Sequence, residues 1–346
     1  MDQTWESLFK EQARLAGHSD EYILECLSYV AELHSHNVPV IFDFNHFRSF
    51  FPKVSESRMD YLVSNISCYK EYYIRKKFGG KRLICAPYSD LKHIQHWIYQ
   101  NILLRDMKSV SPYVEGFVPK SSGNVRNIVS NAKRHVGCKW LINVDIQNFF
   151  DSIKEDAVWD YFKNLGYEKK VVDILSKICT YKFKLPQGAP TSPMLSNLIV
   201  KPMDDELARL AENYNCNYSR YADDITFSGI SEKHMPTIRE IYNIIYRHNL
   251  LPNKKKTKIS FPGDRQMVTG LTITNGLHVP KKYRKDIWKE LYCCKKFGVE
   301  NQIAFRHPQQ GLYKYWLLGR IMFVKSVEPK CGEKMLQEFN SINWCM

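Results

Sequence analysis

Asn217-Tyr218-Ser219-Arg220-Tyr221-Ala222-Asp223-Asp224-Ile225-Thr226-Phe227-Ser228-Gly229 sets two adjacent carboxylates between two runs rich in aromatic and β-branched residues. Such runs favour strands, and the Ala222-Asp223 pair suits a tight turn between them. Two acids at the tip of a hairpin repel each other unless a cation sits there or water solvates them. A hard cation such as Mg²⁺ takes oxygen ligands and leaves positions open for phosphate. A solvated turn is the plain alternative, because turns are rich in Asp in any case. A third carboxylate elsewhere, and groups able to hold a nucleotide, decide between the two.

Asp145 supplies the third carboxylate, at the end of Leu141-Ile142-Asn143-Val144-Asp145. This apolar run reads as a strand that delivers the acid where the chain turns into a helix. Alone, Asp145 would be an ordinary helix cap. The 78 residues separating it from Asp223 are enough chain to cross over and return beside the hairpin. Three acids so gathered could hold two cations roughly 3.5–4 Å apart, the arrangement that stabilises attacking and leaving oxygens in phosphoryl transfer. Between them lies Leu185-Pro186-Gln187-Gly188-Ala189-Pro190-Thr191-Ser192-Pro193. Its prolines fix the backbone, Gly188 permits close approach, and Gln187 offers an amide to a sugar or base.

Composition points to a polyanionic partner. Fifty Lys and Arg against 36 Asp and Glu give a net charge of +14 and a pI near 9.2, which attracts nucleic acid. The charge is uneven: residues 1–50 carry eight acids against three bases, whereas 279–330 carry twelve bases against four acids. The C-terminal part is therefore the candidate for a phosphate backbone, and the acidic N-terminus for a protein partner. No apolar run is long enough to span a membrane, so a membrane partner is not expected. The ten cysteines show no zinc spacing and no Cys-x-x-Cys pair, and read as reduced, mostly buried thiols of a cytoplasmic protein.

With 346 residues the chain exceeds one compact core, and two or three subdomains are expected. Residues 4–36 read as two helices broken near Gly17, with Ser19 or Asp20 capping the second. A hairpin is expected from Tyr69 through Lys76 and Lys77, a Gly79-Gly80 turn, and Lys81 to Pro87. Asp90 is a candidate cap for the helix that follows. A strand over 138–145 leads to helices near 154–165 and 168–180, and 194–213 can form one helix. After the acidic hairpin come a helix near 232–249, strands near 257–261 and 266–274, and helices near 281–297, 310–325 and 332–342. The order is that of a mixed α+β core with a helical, basic tail.

Asp145-Ile-Gln-Asn-Phe-Phe150, Pro186-Gln187-Gly188 and Tyr221-Ala-Asp-Asp224, in this order, resemble the palm motifs of reverse transcriptases. Asn131-Ala132-Lys133-Arg134-His135 and Val268-Thr269-Gly270 resemble the two elements that mark bacterial retron reverse transcriptases. The resemblance runs from about Tyr69 to about Val324. It implies a right-hand polymerase fold with mixed fingers, an antiparallel, RRM-like palm sheet and a helical thumb. The implied boundaries are an N-terminal helical extension over 1–50, fingers over 51–135, palm over 136–275 with finger elements near 152–185, and thumb and C-terminal helices over 276–346.

The same resemblance implies residue roles. Asp145, Asp223 and Asp224 would be catalytic and bind two Mg²⁺ ions, with Asp224 either ligating or supporting. Lys81 and Arg82 match the fingertip pair that grips the triphosphate, and an Arg fork suits phosphate; the plain alternative is a solvated basic tip. Phe150 takes the place of the steric gate against a 2′-hydroxyl, or is a core aromatic beside Phe149. Gln187 would lie against the incoming deoxynucleotide and Lys256, after Asn253, near the leaving pyrophosphate. Asn131 and His135 would be RNA-binding or structural. Val268, Thr269 and Gly270 would help select the cognate RNA, or form only a turn into a strand. Lys281, Lys282, Arg284 and Lys285, on a helix that also carries Ile287, Trp288 and Leu291, would contact nucleic acid. Gly319 would allow close helix packing. One departure is Gly116-Phe117-Val118-Pro119-Lys120-Ser121-Ser122-Gly123, with Ser and Gly where relatives tend to carry a basic residue.

The implied reaction is RNA-directed DNA synthesis. Its partners would be a dedicated structured non-coding RNA, deoxynucleotides, the branched RNA–DNA product primed from a guanosine 2′-hydroxyl, and an effector protein in anti-phage defence. A group II intron enzyme fits less well, because no Cys/His endonuclease segment follows the thumb. Nor does a diversity-generating enzyme, because Gln187-Gly188 is intact. A non-catalytic RNA-binding scaffold would not need all three acids.

Overall fold

Caps and breakers place the N-terminal helices. In the computed structural model, α1 (Gln3–Leu15) stops at Gly17, whose φ is +83°, and α2 (Asp20–Ser35) starts where the Ser19 side chain accepts from Tyr22 N at 3.2 Å. Two helices absent from the sequence reading follow, α3 (Phe44–Ser49), capped by Asp43, and α4 (Glu56–Ser64). Strands β1 (Tyr69–Arg75) and β2 (Lys81–Pro87) pair antiparallel. Helix α5 (Ser89–Asn101) begins without a side-chain cap. Asp90 lies inside its first turn and bonds Arg58 Nε at 2.8 Å, so it is not the cap expected of it. A 3₁₀ segment, Leu103–Ser109, completes this part.

Next come α6 (Ile128–Lys133), β3 (Trp140–Asp145), α7 (Phe149–Ser152), α8 (Glu155–Asn164) and α9 (Lys169–Cys179). Val171, Val172, Leu175 and Ile178 form the buried stripe of α9 at helical spacing. The single helix expected over 194–213 is two, α10 (Ser192–Ile199) and α11 (Lys201–Asn213). Pro202 has no N–H for the carbonyl four residues back, and its ring crowds that carbonyl. Proline also shortens the helix expected over 232–249. After β4 (Asn217–Tyr221) and β5 (Asp224–Gly229), a 3₁₀ turn at Glu232–His234 precedes Pro236, and α12 (Ile238–Arg247) follows. β6 (Lys258–Ser260) joins the main sheet, whose order is β4-β5-β3-β6 with every pairing antiparallel. The strand expected over 266–274 is a small hairpin, β7 (Met267–Val268) and β8 (Leu271–Thr272), turning at Thr269-Gly270.

Among the described residues the tail forms four helices where three were expected: α13 (Lys281–Phe297), α14 (Val299–Arg306), α15 (Tyr313–Val327) and α16 (Pro329–Asn340). Gly298, at φ +85°, ends α13 and allows the short α14 to start. Ile287, Leu291, Leu317, Ile321, Met335 and Phe339 share one apolar cluster with Leu141, Val268 and Leu271 from the strands. Close packing rests on Gly332, not on Gly319. A Cβ at Gly332 would lie 2.2 Å from Lys325 Cα, whereas no described residue stands within 4 Å of one at Gly319. Gly332→Ala should therefore destabilise the protein by about 1–3 kcal/mol through overpacking. Gly319→Ala, in an exposed helix interior, should stabilise it by about 0.5–1 kcal/mol. Urea midpoints of the two variants should move in opposite directions, and a shared direction would contradict this packing.

The structure describes residues 3–64, 68–75, 79–120, 125–307 and 311–344; Lys76, Lys77 and Ser121 to Gly123 lie outside them. Two compact units emerge. One comprises 1–117, 146–206 and 242–251, the other 118–145, 207–241 and 252–346. The described cysteines are all free thiols; Cys68, Cys85, Cys179 and Cys294 are buried and the others half-buried. Among the described residues no helix is long and apolar enough to cross a membrane.

Candidate active site

The acidic hairpin lies in the second unit. Tyr221 pairs with Asp224, which leaves Ala222-Asp223 as a two-residue loop. Ala222 sits at φ +56°, a left-handed conformation costing an L-residue about 1–2 kcal/mol. Arg220, fully buried, holds it there: its Nη1 donates to the Ala222 carbonyl at 3.0 Å. β3 lies on the other side of β5, and Asp145 is the register partner of Asp224. Directly opposed residues of an antiparallel pair stand about 4.5–5.5 Å apart at Cα, so two acids share one end of one sheet face, with Asp223 in the adjoining turn.

A cation from the chain is already present there. Lys256 Nζ lies 3.0 and 2.8 Å from the two carboxylate oxygens of Asp145. Asn253 Nδ2 donates to the same carboxylate at 3.1 Å, and Asn253 N to the Asp145 carbonyl at 2.7 Å. Pairing with Asp145 pushes the Lys256 ammonium above its ordinary value. Among the described residues no three His, Cys, Asp or Glu side chains are drawn into a finished metal cage. Their electrostatics nevertheless favour a cation. Desolvation first, then the charges of Asp223 and Asp145, push the Asp224 carboxyl up to about 7, against the pull of Lys256. Oxygen donors that repel one another and are met by one ammonium fit a hard divalent ion.

A carboxyl raised from 3.8 to about 7 on folding favours the folded state while protonated. That stability is full below about pH 4, declines as pH rises towards 7, and stays lost above. Relative to Asp224→Asn, the metal-free protein should lose thermal stability between pH 5 and 7 and then level off. Saturating Mg²⁺ should flatten the difference. Melting curves in EDTA and in Mg²⁺ test this, and a wild type that gains on Asp224→Asn with rising pH contradicts it.

Further down the same unit, α6 opens with a capping box: the Asn127 side chain accepts from Val129 N and Ser130 N, and Ser130 Oγ accepts from Asn127 N. His135 is fully buried, with Nδ1 2.7 Å from Ser228 Oγ and Nε2 2.7 Å from Ser219 Oγ. Burial, aided by Arg134, pushes its imidazole down to about 3, so it is neutral and donates through one nitrogen while accepting at the other. Asn131 is also fully buried, with both side-chain amide atoms unpartnered among the described residues. Val268 belongs to the core, while Thr269 and Gly270 form the turn at φ +46° and +82°. Asn131, His135 and Val268 are thus all buried side chains.

On α13, Lys281, Lys282 and Lys285 are exposed while Ile287 and Leu291 face the core. Trp288, expected on the apolar face, stands 36% exposed. Arg284 is half-buried and held by Glu328 at 2.8 Å. With Arg265, His278, Lys281 and Lys282 it lines an open cleft of about 440 Å³.

The nucleotide candidates lie in the first unit. Lys81 and Arg82 are exposed at the start of β2, and Lys81 Nζ stands 5.9 Å from the Tyr73 ring centroid. The Gln187-Gly188 loop docks on the same strand, because Cys85 N donates to the Gln187 carbonyl at 2.8 Å. A Cβ at Gly188 would lie 2.8 Å from the Cys85 carbonyl oxygen, which explains the glycine. Phe150 is half-buried where Phe149 is buried, with ring centroids 5.6 Å from Phe149 and 5.8 Å from Phe117. Phe117 itself has φ +62°. Sequence reasoning did not single out Phe117, Arg220, Ser219 or Ser228. Only Arg220 left a signal, a charge inside a strand rich in tyrosine.

Residues 74–311 match the family model described as reverse transcriptase (RNA-dependent DNA polymerase). The chain is 34% identical over 276 residues to the retron Ec86 reverse transcriptase of Escherichia coli, covering 78% of this chain and 79% of that protein. It is 30% identical over 286 residues to the retron Mx65 reverse transcriptase of Myxococcus xanthus, covering 77% of this chain and 63% of that one. Among solved structures, a telomerase from Candida albicans aligns over 80% of this chain and 64% of its own, with a TM-score of 0.48 and 12% identity. The chain belongs to the reverse transcriptase family of RNA-dependent DNA polymerases, in the group of the retron enzymes.

Proposed function

We propose that the acidic hairpin is the reacting end of a polymerase palm, and that this palm copies a dedicated structured RNA into single-stranded DNA. The observation that carries the reading is the β3–β5 register, which sets Asp145 opposite Asp224 beside Asp223. In this reading the palm spans 136–275 with finger elements near 152–185, the fingers 51–135 and the helical thumb 276–346, behind an N-terminal extension over 1–50. Reverse transcriptases as a family require a divalent metal. When bound by Asp145, Asp223 and Asp224, two Mg²⁺ ions would activate the primer hydroxyl and steady the departing pyrophosphate. The remaining work falls to the chain. Lys256 offsets charge on the pyrophosphate, Lys81 and Arg82 hold the triphosphate, Phe150 guards the 2′ position, and Gln187 meets the nucleotide. Lys281, Lys282 and Lys285 follow the duplex backbone, with Arg284 behind them.

Kinship with retron enzymes supports the finer reading. The template is a non-coding RNA whose guanosine 2′-hydroxyl primes synthesis. The product is a branched RNA–DNA held with the enzyme and an effector protein in anti-phage defence. Purification from cells that carry the native locus tests this directly. RNase digestion should leave one short single-stranded DNA of a single sequence, and a debranching enzyme should shift its mobility. Heterogeneous DNA, or none, would remove the dedicated-template reading.

A further inference from the structure

Asn131 to His135 and Val268 to Gly270 perform no bond-making step, yet they are tied to each other and to the acidic hairpin. Thr269 Oγ1 donates to the Ile128 carbonyl at 3.1 Å, which joins the β7–β8 turn to the start of α6. At the far end of α6, His135 bridges Ser219 of β4 and Ser228 of β5 at 2.7 Å each, and Asn217 Nδ2 donates to the Arg134 carbonyl at 3.2 Å. Side-chain alternation and strand register put Ser219, Ser228, Asp224 and Asp145 on one sheet face. His135 therefore meets β5 four residues, or about 13 Å, from Asp224.

Two features exceed what packing needs. Thr269 is β-branched yet held at φ +46°, where Gly or Asn would sit without strain; its hydroxyl bond to α6 is what Gly would lose. His135 reaches across β4 and β5 diagonally, which ties the hairpin as a unit to the end of α6. A shift of the hairpin against α6 would move Asp223 and Asp224 relative to Asp145.

We propose that the Thr269 turn, α6 and His135 form one brace that sets the position of the β4–β5 hairpin, making Thr269 and His135 positioning residues for nucleotidyl transfer. The proposal rests on the reading that Asp223 and Asp224 mark the reacting end. It separates cleanly from a role in choosing the RNA. A brace matters on every template, whereas recognition matters only on the cognate one.

The test is steady-state extension of a DNA primer annealed to a generic homopolymer RNA, with the full chain and its Thr269→Gly, Thr269→Ser, His135→Ala, Ser219→Ala and Asp223→Ala variants. Thr269→Gly should keep its melting temperature, because glycine suits the turn, while kcat falls about tenfold or more with KM for the deoxynucleotide unchanged. Thr269→Ser, which keeps the hydroxyl, should recover the rate. His135→Ala should lose kcat likewise; where it does not fold, Ser219→Ala removes one arm of the bridge and takes the same readouts. Wild-type kcat on the generic template for folded Thr269→Gly and Ser219→Ala, beside an inactive Asp223→Ala, would overturn the brace alone. So would a loss confined to the cognate RNA. Synthesis by Asp223→Ala would overturn the reacting end, and the brace with it.

Discussion

Primer extension by Asp223→Ala should fall at least about 10³-fold while RNA binding is kept, since the loss is of charge that meets the transition state and not of surface that meets the template. The local geometry makes this substitution informative. Asp223 occupies the loop, outside the strand pairing, so its side chain can be shortened without breaking the ladder. Ala222 keeps its left-handed turn through the Arg220 bond, which does not involve Asp223. Removing the Asp223 charge also relieves Asp224, whose carboxyl it helps push up. The melting temperature of the metal-free variant separates a loss of chemistry from a loss of fold. Single-turnover extension, filter binding of the RNA and melting curves in EDTA read the three quantities separately. Synthesis near the wild-type rate would sink the metal-site assignment; joint loss of RNA binding and melting temperature would show that Asp223 holds the fold.

The elements of this site differ in how far the chain itself announces them. Alternating β-branched and aromatic residues around an Asp-Asp pair announce a hairpin, and the run 141–145 a strand, because those signals are local. The Asp145–Asp224 register is not local; it follows from which sheet face is buried. His135 is less legible still, because its partners lie 84 and 93 residues away and Ser is no signal in a strand. Thr269 reads as a strand residue and is held left-handed only by its neighbours. Pro202 and Pro236 break helices that would otherwise run over 194–213 and 232–249. Gly319 and Gly332 are alike on paper; only the crossing of α15 and α16 shows which one a neighbouring backbone touches.

Phe150→Ala should lower discrimination between deoxynucleotides and ribonucleotides by about 10- to 100-fold, measured as the ratio of kcat/KM values on one template. The ring is suited to a gate because it is supported without being enclosed. Phe149 takes the core position, while Phe150 stays half-buried, flanked by Phe149 and by Phe117. Phe117 is fixed in turn: its left-handed backbone follows Gly116, whose carbonyl accepts from the buried Asn197 Nδ2 at 2.9 Å. A ring so flanked has few rotamers to yield to a 2′-hydroxyl, and rejection by a rigid wall needs that poverty. The effect should appear mainly as improved kcat/KM for ribonucleotides, because removing the wall adds no new contact for deoxynucleotides. Phe150→Tyr, which keeps the ring, should retain most of the discrimination. A truncated side chain that leaves the ratio unchanged, in a variant of wild-type melting temperature, would show that Phe150 is a packing residue and that the sugar is read elsewhere.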